Sequence, residues 1–219
     1  MSYKLVIGNK NYSSWSLRAW LFLTESRLPF EEVRLPLFTD AWQQIAQYSP
    51  AQRVPVLLDG DIAVWDSSAI YGYVRSRHSK TAVGWPTTSP QAEATARSIT
   101  AEMHSGFLGI RAQLPQNIRA RVPVERTSLA VATQQEIDRV EQMWASAYDS
   151  YGGPWLFGDF SLADVVYAPV ALRFVTYQIQ LNSAAQTFVE TVQSLPSVQE
   201  WATASAAEPE AISAIDQLY

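Results

Sequence analysis

Residues 54–65 read VPVLLDGDIAVW, two short apolar runs on either side of Asp59-Gly60-Asp61. An Asp-Gly pair between β-forming runs is among the strongest short-range signals for a tight antiparallel hairpin. Around it the first eighty residues must be arranged. Upstream, Tyr3–Ile7 alternates like a strand and stops at Gly8-Asn9, a turn signal. Trp15, Leu17, Ala19, Trp20, Leu21 and Leu23 fit a helix buried over most of its circumference. FEEVRL at 30–35 reads as a second strand, and 40–46 as a short helix started by Thr39 or Asp40. Downstream, Ser67 or Ser68 opens a helix through Ala69, Ile70, Tyr73 and Val74. The order is therefore βαβαββα.

Past this point the texture changes. Residues 79–90 (SKTAVGWPTTSP) hold small residues and prolines without a period, as a linker does. Helical periodicity then predicts helices over about 91–113, 124–150, 162–177, 184–194 and 197–205, with Tyr151-Gly152-Gly153-Pro154 as a break. The expected organisation is an α/β domain over 1–80, a linker over 81–90 and an all-helical domain over 91–219. No apolar run approaches the roughly 18 residues that span a bilayer, and MSYKLVIGN lacks the layout of a signal peptide, so no membrane association and a cytoplasmic location are expected. The chain has no cysteine and two histidines, which excludes disulfides and thiolate zinc sites and leaves little for any metal. A net charge of -5 without a dense basic cluster argues against nucleic acid as a partner.

Three stretches carry residue types suited to chemistry. Pro55 opens the third strand, a position where thioredoxin-type folds hold a cis peptide. Such a peptide turns the N–H and C=O of Val54 outward, where an extended ligand can pair with them. In WDSSAI (65–70), Asp66 and Ser67 stand at a helix start; they can cap it, or receive the ammonium and carboxylate of an amino-acid head group. In NYSSWSLRAW (11–20), Ser13 and Ser14 stand between strand and helix, where hydroxyls serve as a cap or as donors to a bound anion. By contrast, Ser161-Leu162-Ala163-Asp164 fits a capping box and is assigned to structure.

With NYSSWSLRAW, SPAQRVPVL, WDSSAI and FSLADV in this order and spacing, the chain resembles the cytosolic glutathione transferases, in particular the serine-type, theta- and zeta-like bacterial members. The resemblance extends over essentially the whole chain. It implies a thioredoxin-like first domain, a helical bundle after it, and a homodimer. It also implies glutathione as co-substrate: γ-glutamyl end at Asp66 and Ser67, cysteinyl backbone on Val54 beside Pro55, glycyl carboxylate near Arg53. The thiol-activating hydroxyl would be Ser13, with Ser14 second and Tyr12 a weaker candidate. Tyr12, His104 and Arg111 are candidates for the pocket of a small electrophilic second substrate.

The serine would act as a donor to sulfur, since the substrate brings the cysteine that the chain lacks. A cysteine-type thiol ionises near pH ~8.5, and lowering that value by two costs ~2.7 kcal/mol of preferential thiolate stabilisation. A hydroxyl donor with the positive end of a helix is of that order. Two rival readings accompany conjugation. One is a zeta-like, glutathione-dependent cis-trans isomerase, although the zeta pattern has a cysteine in its serine-rich stretch. The other is a non-catalytic binding module, against which stand the retained acid-hydroxyl pair and serines.

Overall fold

The computed structural model describes residues 2–219. Its first part is a four-stranded sheet of β1 (Tyr3–Ile7), β2 (Phe30–Arg34), β3 (Val56–Asp59) and β4 (Ile62–Trp65), in the order β2-β1-β3-β4. β1 and β2 run parallel, which the crossover through a helix between them allows, while β1/β3 and β3/β4 are antiparallel. The hairpin closes with Asp59 opposite Ile62, and Gly60 supplies the positive φ (59°) that the two-residue loop requires. Side chains alternate across β1: Leu5 and Ile7 enter the main core, whereas Val6 meets Leu35, Ile45 and Val56 on the opposite face.

Helix α1 (Ser14–Glu25) and α2 (Ser67–Arg77) cover the main-core face. Leu17, Ala19, Trp20, Leu21, Phe22 and Leu23 of α1 are all buried, because the helix has the sheet on one side and the helical part of the chain on the other. That part consists of α3 (Pro90–Ser105), α4 (Leu108–Gln113), α5 (Val131–Tyr151), α6 (Leu162–Thr176), α7 (Ser183–Ser194), α8 (Pro196–Ala206) and α9 (Ser213–Asp216). α6 is its centre. Fourteen of its residues are buried, it packs on α1, α3 and α7, and the expected capping box at Ser161 and Asp164 starts it. Burial raises the Asp164 pKa to about 6, against the opposing effect of hydrogen bonds from Leu156 and Ser161. One apolar cluster runs from Leu5 through Trp144 to Trp201, so both parts share a core. No helix among the described residues is long and apolar enough to cross a membrane.

Three expectations need correction. The predicted helix over 91–113 is two helices, broken at Gly106 and Phe107. Phe107 has φ 58°, and a side chain at Gly106 would put its Cβ 2.9 Å from the Glu102 carbonyl oxygen. Periodicity misses the break because Met103, Phe107, Ile110 and Leu114 keep helical spacing straight through it and are all buried. The helix expected from 124 begins at Val131, preceded by a 3-10 turn at Arg126–Ser128. The segment Asp40–Gln47 is a 3-10 helix rather than an α-helix, with only Ile45 buried.

Candidate active site

The sequence-predicted binding residues converge. Arg53, Val54, Pro55, Asp66 and Ser67 line one cavity of about 540 Å³, with Trp15 of α1 on its wall. The Val54–Pro55 bond is cis, as the sequence led us to expect. Asp66 caps α2: its Oδ1 accepts the Ser68 N–H at 2.8 Å and the Ser68 hydroxyl at 2.9 Å. Its φ of 74° lies where a non-glycine residue is strained, a feature that clusters at ligand sites. Ser67 follows at the first helical position and is 1% exposed, yet its Oγ has no hydrogen-bond partner among the described residues. The Tyr71 hydroxyl lies near it, but neither group makes a bond of normal geometry. A buried, unsatisfied hydroxyl is costly unless a partner completes it.

The remaining candidates separate. Ser13 is the N-cap of α1: its oxygen accepts the Ser16 N–H at 3.2 Å, and its hydroxyl pairs with Ser16 Oγ at 2.8 Å. Ser14 accepts from Arg173 Nη2 at 3.0 Å. Both serines are buried beside the cavity without being among its lining residues. Tyr12 points elsewhere: its hydroxyl donates to Asp216 at 2.8 Å and accepts from Arg119 at 2.7 Å, which fastens residues 208–216 to the loop before α1. The geometry therefore gives Tyr12 a clasping contact away from the cavity. His104 borders a second cavity of about 790 Å³ between α2 and α3, and its Nε2 lies 3.4 Å from Asp66 Oδ2. Arg111 donates to the carbonyls of Met103 and Gly106, at the broken end of α3, and lies over the Trp15 ring at 4.7 Å.

Three residues to which the sequence reading gave no role in the site complete the surroundings. Trp15 has two guanidinium groups over its ring, Arg18 at 4.6 Å and Arg111 at 4.7 Å, with His104 edge-on at 5.1 Å. Arg18 is fully buried; its Nε donates to the Val166 carbonyl, while both Nη atoms lack partners. Burial pushes its pKa down to about 10. Arg173 is pushed down to about 9, first by burial and then by the neighbouring Arg111 and Arg18. All three arginines stay charged at neutral pH, so the region behind α1 is electropositive. The signal for Arg173 was available: an arginine inside the apolar run PVALRFV is out of place unless it has a partner.

Residues 12–77 match the model of the glutathione S-transferase N-terminal domain. Over those residues, under a third of the chain, it is similar to the glutathione S-transferase N-terminal domain. Among curated proteins it resembles the dichloromethane dehalogenase of Methylophilus leisingeri, 31% identical over 70 residues, and that of Methylorubrum extorquens, 37% identical over 59. These matches take in 31% and 26% of this chain and only 26% and 20% of the relatives' lengths. Among solved structures, a Burkholderia glutathione transferase homologue with bound glutathione superposes with a TM-score of 0.69 at 22% identity, over 95% of this chain and all of the other. Maleyl pyruvate isomerase, described as a bacterial zeta-class glutathione S-transferase, gives 0.68 at 19%, with the same coverage. At such identities the likeness is one of fold, and it extends through the helical part of the glutathione-transferase architecture. No group of three or more metal-ligating side chains occurs among the described residues.

Proposed function

We propose that this protein is a glutathione transferase that binds glutathione in the 540 Å³ cavity and delivers its thiolate to a small electrophile. The observation that carries the reading is the convergence of Arg53, Val54, Asp66 and Ser67 on one cavity, with Ser67 at the start of α2 carrying a hydroxyl that has no hydrogen-bond partner among the described residues. Each end of a γ-glutamyl tripeptide has a matching group there. The Ser67 hydroxyl and the positive end of α2 receive the α-carboxylate, and Asp66 attracts the ammonium. The Val54 backbone pairs with the cysteinyl unit as an added strand would. Exposed Arg53 meets the glycyl carboxylate. The sulfur then lies towards the start of α1, where a serine hydroxyl and the helix end stabilise the thiolate.

The electrophile occupies the space between the two parts of the chain, near Trp15 and His104, and the enzyme works as a homodimer. The dehalogenase relatives make halogenated carbon a first class to assay. The test is calorimetric titration with glutathione, followed by conjugation assays with a chlorinated aromatic acceptor and a dihalomethane. Saturable binding with turnover of either acceptor is expected. Binding without turnover of any electrophile would favour a non-catalytic module, and no binding would overturn the proposal.

A further inference from the structure

We propose that Arg173 of α6 is a positioning residue that makes Ser14, rather than Ser13, the hydroxyl that donates to the glutathione sulfur. This rests on the glutathione reading above and assigns the donor within it.

The two serines differ in what is left of their hydrogen-bonding capacity. A hydroxyl has one hydrogen to give and two lone pairs. The Ser13 hydroxyl is paired with Ser16 Oγ at 2.8 Å, and Ser16 Oγ is itself held by the Gly8 N–H at 3.0 Å. To serve sulfur, Ser13 would have to leave a buried network that starts α1. Ser14 is the reverse case. Its oxygen accepts from Arg173 Nη2, and its O–H donates to no group among the described residues. A guanidinium has only donors, so contact with it forces the hydroxyl hydrogen to point away from Arg173. Donation into the oxygen also polarises the O–H bond and strengthens it as a donor. Residue 15, the next along the chain, already lines the cavity.

Arg173 is itself held for this task. Its Nη1 donates to the Leu114 carbonyl at 2.9 Å, and the loop that carries Leu114 is pinned to α6 by Thr176 on Asn117 and by Tyr177 on Pro115. No carboxylate pairs with Arg173. The charged and titratable groups that face it are Arg18 from α1, Arg111 from α4 and the Tyr177 phenol after α6. Burying a cation with no anion is expensive. A thiolate at the start of α1 would supply the missing negative charge. In the activation step the S–H bond breaks, its proton leaves to solvent, the electron pair stays on sulfur, and Ser14 keeps its own proton while donating a hydrogen bond.

The experiment is to titrate the ultraviolet thiolate absorbance of glutathione bound to the full chain. The proteins compared are the wild type and Ser13→Ala, Ser14→Ala, Arg173→Met, Arg173→Lys and the Ser14→Ala/Arg173→Met double variant. Calorimetric affinity for glutathione is measured in parallel. Ser14→Ala should raise the thiol pKa by about 1–2, the equivalent of one hydrogen bond to a charged group. Arg173→Met should raise it comparably, with affinity changed less than threefold, and Arg173→Lys should recover part of the loss. The double variant should go no higher than the larger single effect, because Arg173 acts through Ser14. Additive effects, an Arg173→Met protein with the wild-type thiol pKa, or a larger shift from Ser13→Ala than from Ser14→Ala would overturn the inference. If Arg173→Met does not fold, the Ser13/Ser14 comparison and Arg173→Lys still decide it. Absence of glutathione binding by the wild type would instead overturn the reading of the cavity.

Discussion

Ser67→Ala should move stability and binding in opposite directions. Ser67 is 1% exposed, and its hydroxyl has no hydrogen-bond partner among the described residues. A buried polar group in that state costs about 1–3 kcal/mol. Replacing it by a methyl group removes the penalty and leaves only a small void, and the cap of α2 stays intact because Asp66 supplies it. The variant should therefore be as stable as the wild type or more so, by up to about 2 kcal/mol. In a domain of this size each kcal/mol is worth roughly 2–4 °C in Tm. Glutathione binding should suffer. A hydrogen bond to a charged carboxylate contributes about 1.5–3 kcal/mol, which corresponds to a Kd roughly 10- to 160-fold higher. Thermal or urea unfolding without ligand, set beside calorimetric titration with glutathione, reads both quantities. A variant that loses stability while keeping its affinity within twofold would show that Ser67 packs the helix and binds nothing.

Asp66→Ala should lower both quantities: about 0.5–2 kcal/mol of stability through the lost cap and about 1.5–3 kcal/mol of glutathione affinity, with unchanged titration calorimetry counting against its role. Tyr12→Phe should destabilise by about 1–3 kcal/mol, since Asp216 and Arg119 lose a partner, yet leave glutathione affinity unaltered. A tenfold weaker Kd there would restore Tyr12 to the site. Asp164 links stability to pH. Its folded pKa of about 6 lies above the ordinary 3.8, so between pH 4 and 6 the folded state holds the proton more tightly than the unfolded chain. Its contribution falls as pH rises through that window, by about 3 kcal/mol. The stability difference between wild type and Asp164→Asn should shrink by that order from pH 4 to 7 in denaturant titrations, and a pH-independent difference would contradict the assignment.

The parts of the fold that the sequence made legible are those decided by neighbours in the chain. The 54–65 hairpin depends on one Asp-Gly turn and two adjacent runs, and it forms with the register those residues imply. Capping at Ser13, Asp66 and Ser161 is equally local. The break at Gly106–Phe107 was not legible, because the apolar spacing that marks a helix continues across it. Within the site, Asp66 and Ser67 adjoin in sequence and Val54 lies on the neighbouring strand opening, so a motif could gather them. What separates Ser14 from Ser13 is an arginine 159 positions away, and no local pattern carries that information.

The loop before α1 depends on residues made long after it. Asn11 bonds to Asn117 through its side chain and donates its backbone N–H to Glu208, a contact across 197 residues, while the Lys10 N–H donates to the same carboxylate and Tyr12 meets Asp216. On the ribosome, synthesis runs at about 5–20 residues per second and domains form from the N-terminus onward. The sheet, the hairpin and Asp66 at the head of α2 can therefore assemble early, whereas the approach to Ser13 and Ser14 waits roughly 7–30 seconds at that synthesis rate for its partners. On the proposed reading of the cavity, a nascent chain would grip the γ-glutamyl end of glutathione before it could sharpen the acidity of the thiol.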